Sequence, residues 1–370
     1  MLKNSKISKK RFDTSLGFRR HRNSIKRKSY KYGRFKNLIK INGSSYHELK
    51  APRVLTIYSI SESFLPDDES EYKITLDFIN DLSSSLVKGK VVVNFEDTES
   101  INAAALLLLY ATVHSIQQTS KFDSKVRLSK SLIVNKLIRA SNLKRLIERR
   151  ELIVPCSRIK RLPVVTSNDA KYIDDIIDYI KVRIYDNGLD ANDESVLSDA
   201  IIESIENVLL HAYPKGGSKL HKQWWLLCDV IDDQLFLAIH DRGVSIPNTV
   251  KHREWFERAF QDEYPEIYDE IKNSLTPSQK FLEYLNIKPN IKDKHLINVS
   301  MTGDYSSIKT EGRGQGSKSI KYLVNENESG KLWVFSRLGL FVYNSEEDSR
   351  LIDLPIKIPG TLIQWNIKIR

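Results

Sequence analysis

The sequence is poor in the residues that would staple or anchor it. Cys156 and Cys228 are the only cysteines in 370 residues, too few for a disulfide scaffold or a cysteine zinc knuckle. A reducing, cytoplasmic setting is therefore expected. Long apolar runs are also missing. The most apolar stretch, Ile101–Val113, contains Asn102 and is far short of the roughly 20 residues that cross a bilayer, so no membrane partner is expected. The N-terminus lacks the apolar core of a secretory signal. No internal repeat or collagen-like period is visible. At 41% hydrophobic content the chain can bury a sizeable core over two or three domains.

What is present is charge, unevenly placed. The net charge is +11. Residues 1–50 hold 16 Lys/Arg against Asp13 and Glu48, while the other 320 residues hold 42 Lys/Arg against 45 Asp/Glu. Residues 1–45 lack apolar periodicity, and residues 1–50 read as a basic, flexible arm. Within residues 1–40 the cations alternate with Phe12, Phe18, Tyr30, Tyr32 and Phe35. Cations neutralise phosphates and aromatics stack on bases, so nucleic acid is one expected partner of this arm. A solvated tail, or one that binds an acidic protein, is the plain alternative. A second basic stretch, Lys125–Arg161, includes Lys144, Arg145, Arg149 and Arg150 and extends that surface.

Residues 51–155 alternate strand and helix patterns. Strands are expected at Arg53–Tyr58, Gly89–Phe95 and Lys125–Leu128, and helices at Tyr72–Leu86, Asn102–Gln118 and about Ser129–Glu148. From 165 to 370 a second α/β region follows. Helices are expected over Ala170–Tyr185 and Asp193–Tyr213, the latter capped by Asn192 or Asp193. Strands are expected at Gln223–Val230, Gln234–His240, Lys331–Ser336, Leu340–Tyr343 and Thr361–Lys368. Residues 248–310 form a polar, mostly helical insert. The fold class is α/β in both regions.

Three segments of the second region carry chemistry. Glu203, Asn207 and His211 recur at i, i+4 and i+8 and so share a helix face, with Glu206 beside them. Asp241 ends a strand, where its carboxylate can accept an amino hydrogen from adenine while Gly243 approaches without a Cβ. Gly312-Arg313-Gly314-Gln315-Gly316 opens into a helix, offering backbone N–H groups to phosphates. Each of these motifs is weak alone, and a solvated polar stripe is the ordinary reading of the first.

In this order the three motifs resemble the GHKL superfamily of gyrase, Hsp90, histidine kinase and MutL ATP-binding domains. The resemblance covers roughly residues 168–370 and implies a Bergerat α/β sandwich that binds ATP and Mg²⁺. It implies that Glu203 is the catalytic base and that Asn207 is the Mg²⁺ ligand. Asp241, Gly243 and Thr361 would hold adenine, and Gly312, Arg313, Gly314 and Gly316 the phosphates. Lys309 and Lys318 are further γ-phosphate candidates. His211 is expected to be structural. Ser245 departs from the pattern, standing where the family has the last glycine of Asp-x-Gly-x-Gly. The insert is the expected lid, with Trp255, Phe256, Phe260 and Tyr264 as a small core of its own. No transducer domain is expected after Thr361.

The run Glu203–Tyr213 is most similar to anti-sigma-factor serine kinases. Residues 51–155 in turn resemble the STAS domains on which such kinases act. Ala103 or a neighbour stands where a STAS antagonist carries its acceptor serine. That implies a docking or oligomerisation module for a protein partner, with a homodimer as one arrangement it permits. The expected function is a nucleotide-dependent switch or slow ATPase. The alternatives are a serine/threonine kinase acting in trans and a non-catalytic scaffold of a nucleic-acid-associated or defence complex.

Overall fold

Asn42 and Gly43 both adopt positive φ (48° and 79°), as a two-residue type I′ hairpin requires. They join β1 (Asn37–Ile41) to β2 (Ser44–Lys50), with Ile41 paired to Ser44. The arm expected to reach residue 50 thus gives way to sheet at residue 37, because an Asn-Gly turn between alternating apolar residues specifies a hairpin locally. The computed structural model describes residues 37–57, 71–153, 161–213, 222–231, 233–276, 287–302, 316–327 and 329–369. Over these the chain is mixed α/β. It divides into two compact units, one of residues 1–105, 112–137 and 144–150, the other of residues 106–111, 138–143 and 151–370.

In the first unit, β2, β4 (Val91–Asn94) and β6 (Ser124–Arg127) run parallel in a sheet of order β1-β2-β4-β6. All four residues of β4 are buried, as a strand covered on both faces demands. A short parallel pair, β3 (Val54–Leu55) and β5 (Ser100–Ile101), stands apart. The helices along this stretch are α1 (Glu71–Lys88), α2 (Ala103–Thr119), α3 (Leu132–Ala140) and α4 (Leu143–Ile147), of which residues 106–111 and 138–143 fall in the second unit. Asn102 caps α2 by accepting the Ala105 N–H at 2.7 Å. The single helix expected over Ser129–Glu148 is divided, because Asn142 turns left-handed (φ 69°) and its amide donates to the Ile153 carbonyl.

In the second unit, β7 (Val165–Ser167), β8 (Trp224–Ile231), β9 (Gln234–Asp241), β10 (Lys331–Tyr343) and β11 (Ser349–Lys368) form an antiparallel sheet of order β10-β11-β9-β8-β7. The two strands expected at 331–336 and 340–343 are one strand with a bulge at Arg337, whose φ is 54°. Alternate residues of the sheet, among them Leu226, Leu237, Ile239, Ile363 and Trp365, pack into one core. Facing them are α5 (Ile173–Tyr179), α6 (Ala191–Asn207) and α11 (Gly316–Asn325). Trp225, Ala238, His240, Leu362 and Gln364 are also buried, so the middle of this sheet is covered on both faces. The cap of α6 is Asp190, whose carboxylate accepts the Asp193 N–H at 2.8 Å. The helix therefore starts earlier than a cap at Asn192 or Asp193 allows.

The insert folds as α7 (Ile246–Val250), α8 (Phe256–Glu263), α9 (Pro265–Ser274) and α10 (Asp293–Met301). It does have its own core, around Phe256, Phe260, Tyr268 and Leu296, with Trp255 and Tyr264 packed against it. It is not a detached lid along its whole length, however. On α10, Leu296 and Val299 face the insert core, whereas Ile297 and Met301 enter the core of the sheet. Arg337 at the β10 bulge pairs with Asp293 at 3.3 Å and donates to Asn248 on α7 at 2.5 Å, holding α10 and α7 to the sheet.

Candidate functional site

The site is built around the end of β9. Asp241 lies in register between Trp224 of β8 and Thr361 of β11. Its side chain is buried, and Oδ1 accepts the Gly243 N–H at 2.7 Å. Burial pushes the Asp241 carboxyl up to about 7, against the opposing pull of backbone hydrogen bonds from Gly243 and Thr361. No ion pair to Asp241 exists among the described residues. The next position, His240, is held near 3 by burial, and its Nδ1 lies 2.9 Å from the Thr361 carbonyl.

Two glycines permit this arrangement. A Cβ on Gly360 (φ 68°) would stand 1.9 Å from the Asp241 carbonyl oxygen, and one on Gly243 would stand 2.1 Å from the Ala212 carbonyl oxygen. Gly243 was expected to make room for a ligand. It also makes room for the end of the neighbouring helix, where the Val244 N–H donates to Ala212 at 2.7 Å. Beside Asp241, the Thr361 hydroxyl lies 3.0 Å from Ser336 Oγ, and Ser336 Oγ also accepts the Ile246 N–H at 3.1 Å. Ser336 is a site residue that sequence reasoning missed, since a serine inside a strand carries no signal of its own.

Ser245 occupies φ 80°, ψ 155°. Only glycine adopts this region readily, and other residues there cost about 1–3 kcal/mol. Its hydroxyl is buried with no hydrogen-bond partner among the described residues. Strain thus falls on the residue that departs from the expected glycine pattern.

Glu203 and Asn207 lie on α6, both partly exposed, with no side-chain hydrogen bond or ion pair among the described residues. Partial burial, then the negative charges of Glu206 and Asp199, raise the Glu203 carboxyl. After Asn207 the helix widens into a π turn, Val208–Ala212. That turn takes His211 off the expected i, i+4, i+8 line, and its Nδ1 instead faces Arg253 at 3.1 Å. The same turn ends at Ala212, the residue bonded to Val244. The helix bearing Glu203 and Asn207 is therefore tied to the segment bearing Asp241.

Gly316 begins α11, which packs along α6, and Trp365 Nε1 donates to the Ile320 carbonyl at 2.9 Å. Lys318 is exposed on its first turn. Gly312, Arg313, Gly314 and Lys309 lie outside the described residues.

A buried carboxyl without a cation suits an amino hydrogen, and two hydroxyls stand next to it. Among the described residues no group of three His, Cys, Asp or Glu side chains is arranged to hold a metal. A hard cation would then rely on the Asn207 amide oxygen and on oxygens supplied by phosphates, as Mg²⁺ commonly does. No helix among the described residues is long and apolar enough to cross a membrane. No protein-family model matches this chain, and no curated protein does either.

Proposed function

We propose that residues 165–370 form a GHKL-type ATP-binding domain of Bergerat architecture, acting as a nucleotide-dependent switch with slow hydrolysis. The observation that carries this reading is the Asp241 carboxyl. It is buried without a cation, bonded by the Gly243 N–H, backed by Gly360 where a Cβ would strike the Asp241 backbone, and placed beside the Thr361 and Ser336 hydroxyls. Such a group is costly for the empty protein and becomes useful once a donor such as the adenine amino group reaches it.

In this reading Asp241 accepts the amino hydrogen and Thr361 supports the ring. Glu203, more basic than an ordinary glutamate and unengaged by its neighbours, orients water and takes its proton. Asn207 offers its amide oxygen to Mg²⁺, which when bound supplies charge neutralisation at the phosphates. Backbone N–H groups of Gly312, Gly314 and Gly316, with Arg313, hold the phosphate oxygens. Residues 51–155 serve as a degenerate STAS-like docking module for a protein partner. The parallel β2-β4-β6 sheet, with helices following its strands, supports that reading at the level of fold class and extends the module back before residue 51, to β1.

Calorimetric titration of the full chain with ATP and Mg²⁺ tests the proposal. Binding by the wild type, lost on Asp241→Asn, is expected, and a wild type that binds no ATP sinks it. Labelled phosphate released as free ion supports the switch, whereas phosphate found on a protein assigns the site to a kinase acting in trans.

A further inference from the structure

The N-terminal edge of the parallel sheet carries a concentration of positive charge that the nucleotide reading does not use. Residues 121–150 contain ten Lys/Arg against Asp123 and Glu148 alone. The fold draws several of these cations together. The Ser124 hydroxyl donates to the Ile147 carbonyl, and the Val126 N–H donates to Glu148 Oε1 at 3.4 Å, joining the start of β6 to the end of α4. Lys90, just before β4, stands 5.7 Å from the Tyr46 ring, and the Tyr46 hydroxyl donates to Asp123 at 2.8 Å. Lys90, Lys121, Lys125, Arg145, Arg149 and Arg150 are all exposed along this edge. Asp123 lies 2.8 Å from the Tyr46 hydroxyl and 3.9 Å from Lys125, and Glu148 pairs with Arg150 at 3.0 Å, so these six cations outnumber the two acids of the stretch and the edge keeps a surplus of positive charge.

Arg149 is the most informative of these residues. The Arg150 N–H bonds the Arg145 carbonyl at 2.7 Å and the Arg149 N–H bonds the Leu146 carbonyl at 3.1 Å, which is the Schellman pattern that closes a helix. In that pattern Arg149 takes the left-handed position (φ 52°), where glycine is the usual residue. The chain keeps an arginine there and fixes its direction. The guanidinium lies 5.2 Å from the Phe122 ring centre, and Nη1 donates to the Ser120 carbonyl at 3.2 Å.

We propose that this edge binds the phosphate backbone of a nucleic acid. Phe122 and Tyr46 are buried beneath the cations rather than presented, so the surface offers charge and donors without the apolar face that a membrane-surface helix inserts. The proposal does not depend on the ATP site.

The test uses the full chain with fluorescent oligonucleotides about 30 long, single-stranded and duplex, titrated across a range of salt, with phosphatidylserine vesicles as a separate probe. A variant carrying Lys121→Ala, Lys125→Ala and Arg150→Ala is expected to lose about tenfold or more in affinity, with a duplex salt slope shallower by about 3. Arg149→Gly is expected to keep or raise the thermal midpoint while weakening binding and lowering the slope by about 1. Unchanged affinity in either variant overturns the proposal. So does a wild type that binds the vesicles and neither oligonucleotide.

Discussion

In the parallel sheet of the first unit the buried carboxylate of Glu48 is met by the Asn94 amide at 2.8 Å and by Arg127 at 3.2 Å, whereas in the antiparallel sheet Asp241 is met only by backbone N–H groups. The two are almost equally hidden, at 6% and 5% exposure. The same contrast runs through their neighbours. Ser124, Ser129 and Asn135 in the first unit all find partners, with Ser85 and Glu148 Oε2 (which keeps its ion pair to Arg150) the exceptions, while His240 Nε2 and the Ser245 hydroxyl in the second find none among the described residues. One interior is closed chemically and presents its charge at an edge. The other holds polar groups in reserve at one end of a sheet, which is where a ligand can complete them.

The largest expected effect tests whether that end of the sheet is built as tightly as its glycines indicate. Gly360→Ala forces a Cβ into the Asp241 backbone at a positive φ, and should cost about 3 kcal/mol in urea denaturation. Next, Glu48→Met probes the closed interior. It strips the Asn94 amide of its acceptor and Arg127 of one carboxylate, for a loss of about 2 kcal/mol. A neutral result at either position would remove the contrast between the two sheets.

Asp241→Asn should move stability the other way. Folding raises this carboxyl from 3.8 to about 7, so the folded protein holds its proton more tightly than the unfolded chain does. Wild-type stability therefore falls as pH rises from about 4 to about 7, with the full penalty present above that. The asparagine variant does not titrate, and at pH 8 it should be the more stable of the two. At pH 4 the two should melt together. ATP affinity should drop on the order of 100-fold in the variant, since a charged hydrogen bond is lost. In the wild type it should weaken as pH falls below about 7, because the ligand binds the ionised form. Equal melting of variant and wild type at pH 8 would show that Asp241 carries no such cost.

Much of this arrangement was legible beforehand, and what escaped did so for physical reasons. Asp241 was expected at a strand end because the apolar alternation of Gln234–His240 stops there, and Thr361 was expected beside it only from the family resemblance. The hairpin at Asn42-Gly43 was hidden by the cationic run before it, although its turn signal is among the strongest known for a hairpin. The π turn after Asn207 has no signal, since Val208-Leu209-Leu210 suits an α-helix equally well and only tertiary packing against Val244 selects the wider form. Gly339 marks the irregularity at Arg337 and reads as a break between two strands, whereas the ladder to β11 resumes beyond it and makes them one. The bulge is stabilised by partners distant in sequence, Asp293 and Asn248. The role of α10 in both cores likewise depends on a face assignment that helical periodicity leaves open.

The smallest expected effect separates strain from chemistry at Ser245. Ser245→Gly removes both the unfavourable backbone and the buried hydroxyl, while Ser245→Ala removes the hydroxyl alone. If the residue is simply a misfit in a glycine turn, Ser245→Gly should gain about 1–2 kcal/mol and Ser245→Ala part of that, with ATP affinity equal in all three proteins. If the hydroxyl is held in reserve for nucleotide, both variants should gain stability and both should bind ATP more weakly than wild type. The difference between alanine and glycine then measures the backbone cost alone. Calorimetric titration and denaturation of the same three samples decide the matter. Stabilisation accompanied by weaker binding is the outcome that extends to a single serine the contrast between a closed interior and one left open for a ligand.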